Sequence, residues 1–161
     1  MAERRIRVSI TDQRLDLFEG DRILSSYPVS TAIRGAGERR DSEQTPRGRL
    51  AIEEKIGSGA EIGTVFVGRQ TTGEVCTSQR FAAEPGRDWI LTRILWLGGR
   101  EPGRNQGGDV DTRERTIYIH GTPDVASLGR PSSHGCIRMQ SEDVVELFDR
   151  VEVGTTVDID E

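Results

Sequence analysis

Both histidines of the chain and one of its two cysteines fall between Ile117 and Met139. The stretch reads Ile117-Tyr118-Ile119-His120-Gly121-Thr122-Pro123, then a short variable piece, then Ser133-His134-Gly135-Cys136-Ile137-Arg138-Met139. A thiol and an imidazole that meet make an activated nucleophile–base pair, because the thiolate rather than the thiol attacks carbonyl carbon. Gly135, directly before Cys136, allows the backbone to approach a substrate closely. Amides near Gly135 and Cys136 could then point at a developing oxyanion, and Ser133 adds a hydroxyl. The plainer alternative is a buried cysteine in a Ser-His-Gly turn. A thiol flanked by His-Gly and backed by a second histidine argues against it.

The base is His120 or His134. His134 lies two residues before Cys136 and shares a face with it if that piece is extended. His120 arrives from a separate strand, which leaves its placement freer. A neutral imidazole must also donate its other N–H, often to a backbone carbonyl, which fixes its tautomer. The carbonyl of Gly121 is near enough in sequence to receive it. Spacing alone leaves both histidines open. Two histidines and a cysteine could also supply three zinc ligands, but their spacing matches no common zinc pattern and no second cysteine is near. No metal and no cofactor is expected.

These groups need strands to hold them. Ile6, Val8 and Ile10, then Leu15 and Leu17 beyond a polar Thr11-Asp12-Gln13 turn, alternate with period two. Glu19-Gly20-Asp21 makes a second turn, and a third strand over Ile23–Val29 completes an antiparallel meander. Further strands are expected at 50–56, at 65–67, through Trp89-Ile90-Leu91 and Ile94–Leu97, at 116–120, and at 156–159. In the strand 116–120, Ile117 and Ile119 share one face. Tyr118 and His120 share the other, with His120 at the strand's end, where functional groups are often presented. Tyr118 is thereby a candidate substrate contact.

Residues 141–150 form the clearest helix. Ser141 is placed to cap it, acids occupy its first turn, and Val144, Val145, Leu147 and Phe148 make an apolar stripe. Two polar stretches read as loops: 34–44, either mobile surface or a rim over the site, and the glycine-rich 98–108, a flap or plain surface. The latter lacks the Gly-Lys-Ser/Thr ending of a phosphate loop. Cys76, in Glu74-Val75-Cys76-Thr77, reads as a buried small apolar residue.

At 161 residues the chain is long enough for one domain, 1–161, with a real core. Its net charge of −5 gives nucleic-acid binding no electrostatic support. Nineteen glycines point to many turns and away from a helical bundle. Two cysteines make no disulfide framework, and the absence of a Cys-x-x-Cys pair argues against a thiol redox protein. No apolar run reaches the ~20 residues of a membrane span, and the first residues lack the apolar core of a signal peptide. As written, the chain is expected to stay in the cytoplasm, with no membrane partner; a trimmed leader would look the same.

His120-Gly121-Thr122 followed by Ser133-His134-Gly135-Cys136-Ile137-Arg138-Met139 resembles the signature of the L,D-transpeptidase catalytic domain (the YkuD-like family). Thr45-Pro46-Arg47-Gly48 is similar to that family's Thr-Pro-x-Gly turn, and Val153–Ile159 also fits. Residues 57–110 match least. The resemblance implies a mainly β, sandwich-like domain with the helix 141–150 packed on the sheet. It implies Cys136 as nucleophile, His120 as proton donor and acceptor, the Gly121 carbonyl orienting His120, and His134 as a secondary site residue. Arg138, where many members have asparagine, could grip a substrate carboxylate bidentately; its plainer role is a surface ion pair. The implied partners are peptidoglycan stem peptides or muropeptides. The thiolate would attack the carbonyl before the terminal D-alanine of a stem tetrapeptide. The acyl group would then pass to an amine, giving a cross-link, or to water, trimming the peptide. Carbapenems would acylate the same sulfur. A non-catalytic wall-peptide binding module is the alternative from another class.

Overall fold

In the computed structural model, which describes residues 3–161, the alternating N-terminal residues form β1 (Arg4–Ser9), β2 (Arg14–Glu19) and β3 (Arg22–Ser30). There follow β4 (Gly48–Ile56), β5 (Thr64–Val67), β6 (Gln70–Val75), a short helix α1 (Ser78–Ala83) and the long β7 (Ile90–Gly99). The chain ends with β8 (Tyr118–Thr122), β9 (Ile137–Gln140), α2 (Ser141–Arg150) and β10 (Thr156–Asp160).

Ten strands make one hydrogen-bonded sheet in the order β4-β10-β1-β2-β3-β9-β8-β7-β5-β6, and β4 pairs in addition with β7. The sheet therefore closes on itself, with β5 and β6 as a hairpin hung on β7. Closure removes the exposed edges of the eight strands in the ring, and leaves β6 as the one edge strand among the described residues. The facing walls of this closed sheet are the two layers of the sandwich-like domain expected from the sequence.

One apolar core fills the space between the walls. Ile6, Val8, Leu15, Leu17, Ile119 and Ile137 are fully buried in it. Each such side chain contributes about 1.5–3 kcal/mol on burial. Helix α2 has the bounds read from the sequence, and Val144, Leu147 and Phe148 join this same core. Those positions fall one helical turn apart on one side. Val145, expected in the stripe, is only half-buried.

Several local expectations differ from the structure. Ser141 does not cap α2. The capping position is Gln140, which makes no side-chain capping bond. The Ser141 hydroxyl instead lies 2.7 Å from Thr92 Oγ1. The reason is that β9 runs into α2 without a loop, so sheet pairing rather than a cap sets where the helix starts: Gln140 still pairs with Thr122. The strand read at 116–120 begins two residues later and continues through Gly121 and Thr122. His120 is consequently in the middle of β8, not at its end. Helix α1 and strand β9 have too few residues for a periodic signal, and β6 is almost wholly exposed, so it shows no alternation. Cys76 lies just past β6 and is half-buried rather than buried. Gly98 and Gly99 belong to β7, and the rest of the glycine-rich loop is fastened by Asn105, whose Nδ2 donates to the carbonyls of Arg47 and Arg49 at 3.0 and 3.1 Å.

Because Leu147 is fully buried against β-strand side chains, Leu147→Ala is expected to lower the unfolding free energy by about 2–5 kcal/mol, measured by urea titration with an unchanged m-value.

Candidate active site

Strands β8 and β9 pair in parallel, with Ile119 opposite Ile137 and His120 opposite Arg138. Side chains on a strand alternate between faces. Ile119 and Ile137 accordingly enter the main core. Tyr118, His120, Cys136 and Arg138 fall on the opposite face and line one cleft of about 250 Å³. Register thus collects an imidazole, a phenol and a guanidinium in one place, and the turn leading into β9 adds the thiol.

Cys136 is half-buried and packs against the cluster of Phe66, Ile94 and Tyr118. Its Sγ accepts the Tyr118 N–H at 3.3 Å, and the thiol lies 3.5 Å from the Thr116 carbonyl, to which it donates. Burial pushes the thiol up to about 12, outweighing the Tyr118 amide and the Arg138 and Arg115 guanidiniums, which favour thiolate.

His120 is 1 % exposed. Its Nδ1 lies 2.8 Å from the Gly121 carbonyl oxygen. A carbonyl can only accept, so Nδ1 holds the proton and Nε2 carries the lone pair. Burial pulls the imidazole down to about 4, against the Gly121 carbonyl, which favours the charged ring. Near neutral pH the resting pair is therefore an uncharged thiol and an uncharged imidazole. Among the described residues no hydrogen bond joins His120 to the sulfur. Gly121 is required here for a steric reason: a β-carbon on it would stand 2.7 Å from the Leu91 carbonyl oxygen and 3.0 Å from Ser141 Oγ.

The turn that carries Cys136 is strapped from outside. Thr45, fully buried, donates its hydroxyl to the Gly135 carbonyl at 2.9 Å and accepts the Ala32 amide at 3.0 Å. The Ser132 and Ser133 amides both donate to the Thr31 carbonyl at 2.9 Å. The Thr45-Pro46-Arg47-Gly48 turn thereby acquires a physical role, since its threonine holds the loop beside the thiol. Gly135 has φ +133°, and a β-carbon on it would meet Ile117 Cδ1 at 3.2 Å and the Gln44 carbonyl at 3.3 Å.

Other sequence-derived candidates sit differently from expectation. Ser133, read as a substrate contact, is 2 % exposed and uses its hydroxyl within the turn. It donates to the Cys136 carbonyl at 2.6 Å and accepts the Gly135 amide at 3.2 Å. The Gly135 amide is thus already engaged, and the Cys136 amide is the one left without a protein partner among the described residues. His134 is exposed and lines the cleft rim. Arg138 donates to the Ser132 carbonyl at 3.1 Å and stands 3.7 Å from the Asp88 carboxylate, the ion pair that was the plainer of the two roles read for it. Tyr118 is buried, and its hydroxyl accepts from Arg69 Nη1 at 2.9 Å.

Neither loop 34–44 nor loop 98–108 lines the cleft. The wall is completed by Gly68 and Arg69 from the β5–β6 turn, Asp88 ahead of β7, Ile90 at its start, and Arg115. No motif announced these residues, because they are brought in from three separate segments. Of the hairpin that carries Gly68 and Arg69, only the short apolar strand 65–67 was legible.

The fold and the cleft define a class: a closed, mainly β domain with an oriented imidazole on one strand and a thiol in the turn leading into the parallel strand beside it. Comparison with known proteins makes the assignment specific. Residues 3–159 match the L,D-transpeptidase catalytic domain family, YkuD, and the chain belongs to that family. It is 29 % identical to YkuD of Bacillus licheniformis over 155 residues, which cover 96 % of this chain and 64 % of that protein. The fold is similar to the L,D-transpeptidase from Mycobacterium smegmatis, with TM-score 0.58 and 17 % identity over 99 % of this chain and 59 % of that one. It is likewise similar to L,D-transpeptidase 3 from Mycobacterium tuberculosis in complex with a faropenem-derived adduct, with TM-score 0.58 and 16 % identity over 99 % of this chain and 61 % of that one. The chain thus spans somewhat less than two thirds of the length of each of these proteins.

The uncharged resting pair has two measurable consequences. Alkylation of Cys136 by iodoacetamide, followed by peptide mass, is expected to keep rising between pH 7 and pH 10; a preformed thiolate–imidazolium pair would instead give a flat profile there. His120 also links stability to pH. Between about 4 and the ordinary 6.5 the unfolded chain binds a proton that the native ring refuses. Its contribution is complete above pH 6.5 and is lost as pH falls toward 4. His120→Gln is expected to flatten the pH dependence of the urea midpoint in that window.

Proposed function

We propose that this chain transfers an acyl group from a peptidoglycan stem tetrapeptide through Cys136, releasing the terminal D-alanine. The observation that carries this reading is the cleft shared by Cys136 and His120, in which the Gly121 carbonyl holds the Nδ1 proton and leaves Nε2 as the base. Family membership supports it.

In the first half-reaction the thiol proton passes to His120 Nε2 as sulfur bonds to the carbonyl carbon of the third stem residue. The pair is uncharged at rest, so charge separation accompanies attack rather than preceding it. The Tyr118 N–H, already 3.3 Å from Sγ, and the nearby Arg115 and Arg138 favour the developing thiolate. The negative charge that forms on the carbonyl oxygen is matched by the unengaged amide of Cys136. The carbon–nitrogen bond then breaks, the imidazolium returns its proton to the departing amine, and a thioester remains on Cys136. In the second half-reaction His120 takes a proton from the acceptor, which attacks the thioester and regenerates the thiol. An amine acceptor gives a cross-linked peptide; water gives a tripeptide.

Two measurements test this. Incubation with a stem tetrapeptide, alone and with an acceptor amine, followed by mass analysis, is expected to show loss of D-alanine. The dimer or tripeptide formed identifies the acceptor. Faropenem is expected to add mass to the wild-type chain and not to Cys136→Ala. An unmodified wild-type protein that still binds the tetrapeptide would instead identify a binding module without catalysis.

A further inference from the structure

The geometry points to a carboxylate-binding subsite centred on Arg69, which holds the free carboxylate of the departing C-terminal residue beside Cys136. This deepens the proposed acyl transfer and rests on that reading.

Four observations lead there. First, Arg69 lines the same cleft as Cys136 and His120, yet no Asp or Glu among the described residues lies within ion-pair distance of it. Many surface arginines of this chain do have such a partner, for example Arg47 with Glu38 at 2.9 Å and Arg113 with Glu54 at 2.7 Å. An arginine is a fixed charge with five donors. Only one of Arg69's groups is engaged, Nη1, which donates to the Tyr118 hydroxyl at 2.9 Å.

Second, the guanidinium is held in place before any ligand arrives. It stands 4.6 Å from the Trp96 ring centroid, and Trp96 itself packs edge-on against Tyr118 at 5.7 Å. A fork already stacked and hydrogen-bonded loses little freedom when it binds a planar anion.

Third, the backbone that delivers it is unusual. Arg69 has φ +65° in the tight turn between β5 and β6, a conformation that glycine or asparagine adopts far more readily. A strained non-glycine residue facing a cleft points toward a function for its side chain.

Fourth, the cleft is cationic although the chain is acidic. Arg69, Arg115 and Arg138 face it, against the single carboxylate of Asp88, which is largely exposed and 3.7 Å from Arg138. Arg115 is hydrogen-bonded only by neutral acceptors, the Gly37 and Gln44 carbonyls and the Ser42 hydroxyl.

The identity of the carboxylate follows from reach. When sulfur attacks the carbonyl before the last residue, that residue's carboxylate lies within about one residue length, ~3.8 Å between α-carbons, of the scissile bond. It must therefore lie in the same small cleft. Carboxylates elsewhere on the donor are not under that constraint. A subsite of this kind accepts a donor whose leaving group is a single residue with a free C-terminus.

The test compares the tetrapeptide donor with its C-terminal carboxamide, following D-alanine or D-alaninamide release. The wild-type chain is expected to show kcat/KM at least about tenfold higher for the carboxylate, as for loss of a charge-assisted hydrogen bond. Arg69→Gln is expected to abolish most of that ratio, mainly through KM for the carboxylate donor, and Arg69→Lys to restore part of it. Equal wild-type rates for the two donors overturn the subsite while leaving acyl transfer intact. A wild-type preference retained in full by Arg69→Gln overturns the role of Arg69 and returns it to Arg138. Thermal melts establish that each variant is folded, and the wild-type comparison stands without them. If Cys136 takes an acyl group from neither donor, the proposed acyl transfer itself fails.

Discussion

The parallel pairing of β8 with β9 is the constraint on which the site depends. These two short strands place Ile119 beside Ile137 in the core and leave Tyr118, His120 and Arg138 on the other face, toward the cleft that Cys136 also lines. A shift of one residue in either strand would send its cleft-facing side chains into the core. The register is held from the core side by fully buried isoleucines and from the far side by β7, whose long run pairs with β8 and β4. The placing of the His120 and Arg138 side chains toward the cleft is thus a by-product of burying aliphatic side chains correctly.

Burial that secures the register also sets the electrostatics. Both members of the thiol–imidazole pair are driven toward their uncharged forms, with the thiol up to about 12 and the ring down to about 4. The Gly121 carbonyl then matters for direction more than for charge. It fixes which nitrogen is basic, and the close approach of Leu91 and Ser141 to Gly121 leaves no space for any other residue there. Around the pair, guanidiniums from three segments supply positive potential that the acidic surface elsewhere does not.

The same economy appears in the loop before Cys136. A buried threonine from residue 45 and a backbone carbonyl from residue 31 hold it, so the thiol's position is determined by segments about 90 to 105 residues away in sequence. Ser133 and Gly135 serve this bracing: the serine hydroxyl closes the turn and the glycine lets it bend.

Much of this protein was determined by sequence alone. Alternation marks the N-terminal meander, because a strand with one buried face must repeat every two residues. The stripe of Val144, Leu147 and Phe148 marks α2, because a helix on a sheet must repeat near every 3.6. The preference for His120 over His134 as partner of Cys136 came from motif resemblance, because spacing left both histidines open. Tertiary structure decided the rest. Closure of the sheet depends on β4 meeting β7, a contact between distant segments that no local pattern encodes. The position of His120 in mid-strand depends on a partner strand of four residues, too short to announce itself. Ser141 falls inside α2 rather than capping it because β9 pairs as far as Gln140, and its hydroxyl meets Thr92 instead. Arg69, Asp88 and Arg115 join the cleft only when three remote segments converge, since a charged residue in sequence looks the same whether it faces bulk water or a thiol.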